Sequence, residues 1–199
     1  MTPVPAYSSL TIASYETEAE HYDTLVGAVP SAAIEAALSA LLANTEPGAR
    51  VLEIGSGPGR EADYLEAHGS RVRRTDATEA FIRLQAGRGK HVEPLNAITD
   101  PLGGPYDAVM ALCVLIHVNR ADTGRVLGKI ATALRPGGSW LISVREGTGE
   151  LTDDEYHMTY WQREEFVAHL AAAGLVVQWE YRHTDGDDDT WLTFLGAAA

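Results

Sequence analysis

The sequence predicts an α/β fold in which helices cover both faces of a mostly parallel sheet, a three-layer sandwich. Short apolar runs alternate with segments of helical spacing along most of the chain, as in repeated βα units. Runs such as residues 51–54 are apolar at nearly every position, which is typical of strands buried on both faces of a parallel sheet. The last two β-rich runs, 175–182 and 190–195, flank a turn-rich segment and predict a C-terminal antiparallel hairpin.

Local start and stop signals set the boundaries of the predicted elements. Pro30 and Ser31 favour a helix start, whereas Gly69 and the later segment Arg135-Pro136-Gly137-Gly138 favour helix ends. We predict helices at 14–26, 31–43, 60–68, 79–86, 121–134 and 162–173, and strands at 51–54, 71–75, 91–95, 106–112 and 140–144 before the hairpin. Residues 145–160 are polar and are predicted to connect a strand to a helix.

The length of 199 residues predicts a single domain. Its first part, residues 1–46, is predicted to form a helical lid, and residues 47–199 the core. The composition, 45% hydrophobic and 22% charged, is that of an ordinary globular protein and excludes disordered and fibrous classes. No stretch reaches the roughly 18 apolar residues of a membrane-spanning helix, and the first residues lack a basic export signal.

The charge balance bears on the expected partners. With 15 Lys and Arg against 28 Asp and Glu, the formal net charge is −13, which disfavours binding to nucleic acid or anionic membranes. Cys113 is the only cysteine, so an internal disulfide and a cysteine-based zinc site are excluded and a cytoplasmic location is expected. No histidine pair has metal-ligand spacing, so no metal site is predicted. The oligomeric state is left open.

A glycine-rich loop follows the first predicted strand. It contains Glu53-Ile54-Gly55-Ser56-Gly57-Pro58-Gly59, and a helix opens directly after it. Glycines let a ligand approach the backbone closely and permit positive φ, while the helix directs N–H groups into the same space. Asp76 ends the second strand at the same edge of the sheet, where open α/β sheets bind their ligands. The sequence therefore predicts a cofactor site at this edge.

The spacing of the glycines discriminates between cofactors. Gly55, Gly57 and Gly59 are evenly spaced and follow Glu53, whereas a nicotinamide fingerprint reads G-x-G-x-x-G. The arrangement resembles the first motif, E/D-x-G-x-G-x-G, of the class I S-adenosylmethionine (SAM)-dependent methyltransferases, and later segments fall in the family's order from about residue 15 to residue 195. The resemblance implies a Rossmann-like sandwich with a seven-stranded sheet ending in a reversed hairpin, SAM as cofactor and S-adenosylhomocysteine as product.

The resemblance also implies cofactor-binding residues. Residues that would border the methionine moiety and sugar of SAM are Glu53, Gly55, Ser56, Gly57 and Gly59. Asp76 would accept hydrogen bonds from both ribose hydroxyls. Asn96 and Ala97 would lie near the adenine amino group, with Ala77 and Phe81 on the adenine face, although Phe81 also fits an ordinary core position.

The segment after the fourth predicted strand and the first helix complete the implied cofactor site. Ala111, Leu112 and Cys113 would pass beneath the sulfonium and line the methyl-transfer channel. Tyr22, in a Tyr-Asp pair resembling that of many small-molecule methyltransferases, would close over the methionine carboxylate. Tyr15 is a second candidate for that lid and for contact with the acceptor; tyrosines at helical spacing also occur as plain packing.

His117 is the candidate catalytic base, because it follows the fourth strand at the edge facing the presumed acceptor. A base is needed only when the acceptor carries a proton that must leave, and histidine serves best near neutral pH. The alternative is a structural role, as a helix cap or packed side chain. His157, Tyr160 and Trp161 precede the last helix, where the family often contacts its acceptor, and are predicted to form an aromatic substrate wall; the alternative is a surface crossover with one buried aromatic.

We therefore expect a SAM-dependent methyltransferase that acts on an oxygen or nitrogen atom of a small molecule. The short chain leaves little room for a separate substrate-binding domain, which favours a small acceptor. Three alternatives remain from the sequence. They are a nicotinamide-dependent oxidoreductase on a similar sheet, a SAM-binding protein that does not turn over, and a methyltransferase that acts on a macromolecule, protein or RNA.

Overall fold

A twisted sheet with helices on both faces organises the computed structural model, which describes residues 3–199. The strands are β1 (Arg50–Ile54), β2 (Arg71–Asp76), β3 (Val92–Pro94), β4 (Tyr106–Ala111), β5 (Leu134–Glu146), β6 (Glu150–Thr152), β7 (His157–Trp161), β8 (Leu175–Thr184) and β9 (Thr190–Ala198). The helices are α1 (Ala6–Val26), α2 (Ala32–Ala43), α3 (Arg60–Ala67), α4 (Glu79–Gly87), α5 (Arg120–Ala133) and α6 (Arg163–Ala172), with a 3₁₀ turn at Leu115–His117.

The strand order confirms the predicted fold class. Strands β3, β2, β1, β4 and β5 lie side by side and parallel, β9 runs antiparallel against β5, and β8 pairs with β9 to close the C-terminal hairpin. The order reverses between β1 and β4, so the chain that leaves β1 enters the crevice where such sheets bind ligands. The glycine-rich loop occupies that position.

Nine strands are present instead of seven, because residues 145–160 are not a simple connection. They form the antiparallel pair β6–β7. Strand β7 also pairs in parallel with the last two residues of β5, Arg145 and Glu146. Along β7, His157, Thr159 and Trp161 are buried while Met158 and Tyr160 are half-buried. The strand signal was hidden because a histidine and a threonine take inward positions that are usually apolar.

Helix α1 begins at Ala6 and not at residue 14. Its first half contains Ser8, Ser9, Thr11 and Ile12, which are weak helix formers, so local propensity alone did not predict it. Tertiary contacts stabilise this half: Ser8 and Thr11 are buried, and Tyr7 Oη donates to Asp122 Oδ2 at 2.7 Å. The added turns extend α1 across the carboxyl edge of the sheet.

Alternate residues of the central strands pack into two hydrophobic clusters, one on each face of the sheet. Leu52 and Ile54 of β1 pack in the cluster that contains the α5 side chains, whereas Val51 packs with α2. The members of both clusters are buried and close-packed, so the carboxyl ends of the strands form a rigid platform for the loops beyond them. Within residues 3–199, no helix combines the length and apolar character needed to cross a bilayer.

Candidate active site

A cavity lies between the carboxyl edge of the sheet and α1. Its empty volume is about 1110 Å³, including space that is open to solvent. The predicted site residues that line it are Tyr15, Tyr22, Glu53, Gly55, Ser56, Gly57, Asp76, Ala77, Phe81, Asn96, Ala97, Leu112, Cys113 and His117. The predicted residues outside its lining are Gly59, Ala111, His157, Tyr160 and Trp161.

The glycine-rich loop needs glycine for two different reasons. Gly55 has φ 69°, and a β-carbon there would lie 2.4 Å from Cγ2 of Val114. Gly57 has φ 50°, and nothing lies within 4 Å of the position of its β-carbon. Gly57 therefore leaves open space at the cavity wall, where a ligand can approach the backbone.

Gly59 supports the loop from behind. It is the N-cap of α3 with φ 92°, and a β-carbon there would lie 2.5 Å from Oε1 of Gln85. Gln85, which sequence reasoning missed, is fully buried and donates from Nε2 to Ser56 Oγ at 2.9 Å and to the Gly57 carbonyl at 2.8 Å. Its only sequence signal is its position four residues after Phe81, on the same face of α4.

Asp76 ties the end of β2 to the glycine loop. Its Oδ2 accepts from the Gly57 N–H at 2.8 Å, and its Oδ1 accepts from the Thr78 N–H at 2.8 Å. Burial raises the pKa of the carboxyl, while these backbone N–H groups lower it. Each carboxylate oxygen can accept more than one hydrogen bond, so both keep capacity for a ligand's hydroxyl groups.

Glu53 is a buried carboxyl group with an unused acceptor. Only 3% of the residue is exposed, and its Oε2 has no hydrogen-bond partner among the described residues. Burial raises the pKa of Glu53 to about 8. A buried polar atom without a partner is uncommon in a folded protein, so this oxygen is suited to a ligand group that carries N–H donors or positive charge.

The raised pKa of Glu53 predicts a pH-dependent stability. Between pH 5 and 8 the unfolded chain releases the Glu53 proton while the folded chain keeps it, so the free energy of unfolding falls as pH rises. For a pKa raised from its ordinary value of 4.5 to about 8, the loss in the free energy of unfolding is on the order of 3 kcal/mol. We expect Glu53→Gln to lack this component when urea unfolding is measured across that range. Exposed Glu46 provides the control, and an equal pH slope in Glu53→Gln and Glu46→Gln would contradict the assignment.

Asn96 and Ala97 follow β3 and form the side of the cavity next to Asp76. The Asn96 Oδ1 accepts from the Ile98 N–H at 2.9 Å, and its Nδ2 donates to Ser8 Oγ of α1 at 3.3 Å. This orientation leaves one Oδ1 lone pair uncommitted, available to an amino group. Ser8 is a further residue that sequence reasoning missed, because it precedes the predicted start of α1.

Cys113 adopts an unusual backbone conformation at the end of β4. Its φ is 58°, and its N–H donates to Ser143 Oγ at 2.8 Å. Burial raises the pKa of the thiol to about 11, so the thiol is protonated near neutral pH and is not a nucleophile. Ala111, two residues earlier, is the last residue of β4 and is fully buried.

Helix α1 covers the cavity and is held at several points. Glu16 accepts from the N–H groups of Glu79 and Ala80 at the start of α4, at 2.5 and 3.0 Å. Near its end, the Val26 carbonyl accepts from Arg60 Nη1 at 2.6 Å. These contacts place Tyr15 and Tyr22 over the cavity, where burial raises the pKa of both hydroxyls.

His117 ends the 3₁₀ turn after β4 and projects into the cavity. Its Nδ1 lies 2.8 Å from the His157 carbonyl oxygen, and its Nε2 lies 3.2 Å from Tyr15 Oη. Because a carbonyl oxygen only accepts, this network assigns the proton to Nδ1 and leaves a lone pair on Nε2. Burial lowers the pKa of His117 to about 4, so the imidazole is neutral near pH 7.

The structure does not place the side chains of His157, Tyr160 and Trp161 as a wall of the cavity. Trp161 is fully buried in the core, where the Arg120 guanidinium stacks 4.2 Å from its ring centre. The His157 ring is buried within the β6–β7 hairpin and bonds Thr152 and Thr159, so only its carbonyl reaches His117. The alternation of β7 sends Tyr160 to the opposite side, against Gly147.

Tyr156, which sequence reasoning missed, is the aromatic residue of this segment that approaches the site. Its ring centre lies 5.2 Å from that of Tyr15 and 6.0 Å from that of His117. Its hydroxyl donates to Glu18 Oε2 of α1 at 2.7 Å. No sequence pattern singled it out, because its position depends on the turn between β6 and β7.

Comparison with known proteins identifies relatives for most of the chain. Residues 28–183 match the model of a family described as a methyltransferase domain. The polyketide synthase ThaQ of Burkholderia thailandensis is 29% identical over 140 residues, which are 64% of this chain and 7% of ThaQ. A ubiquinone biosynthesis O-methyltransferase of Caulobacter sp. (strain K31) is 31% identical over 109 residues, 51% of this chain and 42% of that enzyme. The chain thus spans less than half the length of either curated relative.

A solved structure shares the fold over the whole chain. It is the 1,6-didemethyltoxoflavin-N1-methyltransferase of Burkholderia thailandensis, crystallised with 1,6-didemethyltoxoflavin and S-adenosylhomocysteine bound. The TM-score is 0.79 at 22% sequence identity, and the match covers 100% of this chain and 93% of that one. This similarity extends to the β6–β7 region and α1, outside the predicted central sheet.

Proposed function

Because the chain belongs to the methyltransferase-domain family, we propose that it transfers a methyl group from SAM to an oxygen or nitrogen atom of a small-molecule acceptor. The observation that carries the proposal is the convergence of Glu53, the open face of Gly57 and Asp76 on one cavity. The relatives' names support the acceptor class, since one is an O-methyltransferase of ubiquinone biosynthesis and one an N1-methyltransferase of a small heterocycle.

The residues of the cavity fit SAM. Asp76 would accept hydrogen bonds from the ribose hydroxyls with the remaining capacity of its two oxygens. The unpartnered Oε2 of Glu53 would accept from the ammonium group of the methionine moiety. Asn96 would accept from the adenine amino group, and the missing side chain of Gly57 leaves room for the ligand.

Bound SAM supplies an electrophilic methyl group on a sulfonium. The chain's contribution is alignment, which can account for roughly 7–11 kcal/mol of the barrier, and removal of the acceptor's proton. His117 would take that proton at Nε2, the unprotonated nitrogen, which lies 3.2 Å from the Tyr15 hydroxyl while Nδ1 bonds the His157 carbonyl. Tyr22 of the lid, residues 1–46, would exclude water above the core, residues 47–199, and Tyr15 of the same helix marks the place of the acceptor beside His117.

The remaining expectations belong to the same proposal. The lone Cys113 and the net charge of −13 support a cytoplasmic location and argue against a nucleic-acid partner. The even spacing of Gly55, Gly57 and Gly59 argues against a nicotinamide cofactor.

Thermal unfolding with SAM, S-adenosylhomocysteine or NADH tests the proposal. A ligand at about 100 times its dissociation constant adds roughly 2.7 kcal/mol, which corresponds to a shift in Tm of about 5–10 °C for a domain of this size. We expect this shift with SAM and S-adenosylhomocysteine and none with NADH. A shift with NADH alone would indicate an oxidoreductase. Binding of S-adenosylhomocysteine without methyl transfer to any of a broad set of acceptors would indicate a SAM-binding protein.

A further inference from the structure

The Tyr15 side chain lies at the centre of a cluster of four other rings. Its ring centre is 5.6 Å from that of Tyr22, 5.6 Å from that of Phe81, 5.6 Å from that of His117 and 5.2 Å from that of Tyr156. We call these four surrounding rings the aromatic box. They come from α1, α4, the 3₁₀ turn and the β6–β7 turn, so the fold brings together residues distant in sequence. The box already holds one planar hydroxylated ring, the phenol of Tyr15.

The hydrogen bonding of the box leaves two polar groups for an occupant, the lone pair on His117 Nε2 and the hydroxyl of Tyr22, which has no hydrogen-bond partner among the described residues. Tyr15 Oη lies 3.2 Å from His117 Nε2, and that nitrogen is an acceptor because Nδ1 carries the proton toward the His157 carbonyl. The hydroxyl of Tyr156 is already bound to Glu18. A hydroxyl can donate to Nε2 and also accept from the Tyr22 hydroxyl, whereas a group that only accepts hydrogen bonds cannot use Nε2.

The charges around the box disfavour an ionic occupant. Across residues 3–199, the arginine–aromatic contacts involve Tyr106, Trp161 and Trp191, and none involves a ring of the box. Glu18 and Asp76 add negative charge nearby. The cations whose charge reaches the box are Arg60, near Tyr22, and Arg145, near His117, and each is already paired, with Glu61 and Asp189 respectively. A carboxylate or phosphate would lose its hydration here without gaining an unpaired cationic partner, so a neutral ring is favoured.

The weak basicity of His117 favours an acidic hydroxyl. With its pKa lowered to about 4 by burial, the imidazole removes a proton more readily from a stronger acid. A phenol has a pKa of about 10, as in tyrosine, whereas an aliphatic hydroxyl is a far weaker acid, comparable to water at about 15.7. The base and the box therefore point to the same kind of acceptor.

We infer that the methyl acceptor is a neutral aromatic ring bearing a hydroxyl group, which replaces the Tyr15 phenol in the aromatic box and donates its hydroxyl to His117 Nε2. The inference rests on the proposed function, because only a methyltransferase has a methyl acceptor. The preference of the box for such a ring is a property of the chain itself. It is measurable without SAM and without turnover.

The test uses Tyr15→Ala, which vacates the box, and four probes of similar size. The probes are p-cresol, toluene, 4-methylcyclohexanol and p-toluate, with affinities measured by NMR titration of the ligand-free protein at pH 7. We expect p-cresol to bind Tyr15→Ala at least tenfold tighter than wild type. We also expect it to bind about fivefold tighter than toluene, the effect of one hydrogen bond. The saturated alcohol and p-toluate are expected to bind more weakly than toluene.

Two further variants show whether His117 and the box are responsible. Adding His117→Phe to Tyr15→Ala is expected to abolish the advantage of p-cresol over toluene. Tyr64→Ala is the matched control, because Tyr64 lies outside the box and bonds Ser39 at 3.0 Å; it is expected to bind none of the probes. If Tyr15→Ala does not fold, Tyr15→Leu vacates part of the same space and replaces it in every comparison.

Two results would overturn the inference. One is binding of 4-methylcyclohexanol or p-toluate as tight as that of p-cresol, and the other is an undiminished p-cresol preference in the His117→Phe double variant. Binding of S-adenosylhomocysteine to wild type is measured separately. If it binds and the ring preference fails, the inference fails and the methyltransferase proposal stands; if it does not bind, the proposed function fails while the ring preference is still measured.

Discussion

Replacing Asp76 with alanine is expected to weaken SAM binding about a hundredfold, or roughly 3 kcal/mol. The variant would lose the two charge-assisted hydrogen bonds that the carboxylate accepts from the ribose hydroxyls, each worth roughly 1.5–3 kcal/mol. It would also lose the bonds at 2.8 Å that the carboxylate accepts from the N–H groups of Gly57 and Thr78. Isothermal titration with SAM, or with S-adenosylhomocysteine, measures the effect directly.

The control for this variant is Asp187→Ala. Asp187 is exposed in the turn between β8 and β9, remote from the cavity, and its replacement is expected to leave SAM affinity unchanged. Both variants are first shown to be folded by near-UV circular dichroism. Unchanged affinity in folded Asp76→Ala would remove Asp76 from the cofactor site.

Replacing His117 with alanine is expected to lower kcat by about 10²–10⁴-fold, the usual contribution of a general base, for an acceptor that must lose a proton. SAM affinity is expected to be retained, because His117 touches Tyr15 and His157 and bonds none of the residues assigned to SAM. Methyl transfer is measured as S-adenosylhomocysteine formation with an acceptor that wild type turns over. The exposed His91 provides the control variant, His91→Ala.

The pH profile adds an independent measure of His117. A base works in its deprotonated form, and a pKa of about 4 keeps His117 deprotonated above about pH 5. We therefore expect wild-type kcat to show no loss from protonation of His117 between pH 5.5 and 8. If the His117→Ala variant keeps the wild-type kcat, His117 has a structural role and is not the base.

The sequence predicted the central sheet well because buried strands and glycine stops are local signals. The run 51–54, the glycines after it and Asp76 at the end of β2 all follow from spacing along the chain. Helix α1 began earlier than predicted because Tyr7, Ser8 and Thr11 are held in helix by residues far away in sequence, such as Asp122 and Asn96. Local propensity carries no information on such contacts.

The other residues of the site could not be predicted as well, because their positions depend on tertiary contacts. Gln85 of α4 donates hydrogen bonds to Ser56 and Gly57 of the glycine-rich loop. This contact exists only because α4 packs against the loop in the folded protein. Trp161 and Tyr156 lie five residues apart in the same segment, yet Trp161 enters the core and Tyr156 belongs to the aromatic box. The direction of each side chain follows from the pairing of β7 with β5 and β6, which the polar residues 145–160 did not indicate.

A crystal structure of the protein grown with S-adenosylhomocysteine tests the central claim most directly. We predict the ligand in the cavity between the glycine-rich loop and α1, with its ribose hydroxyls on the Asp76 carboxylate and its ammonium group on Glu53. The account would be contradicted if the ligand occupied another surface of the molecule. It would also be contradicted if the ligand lay in this cavity with its ribose away from Asp76.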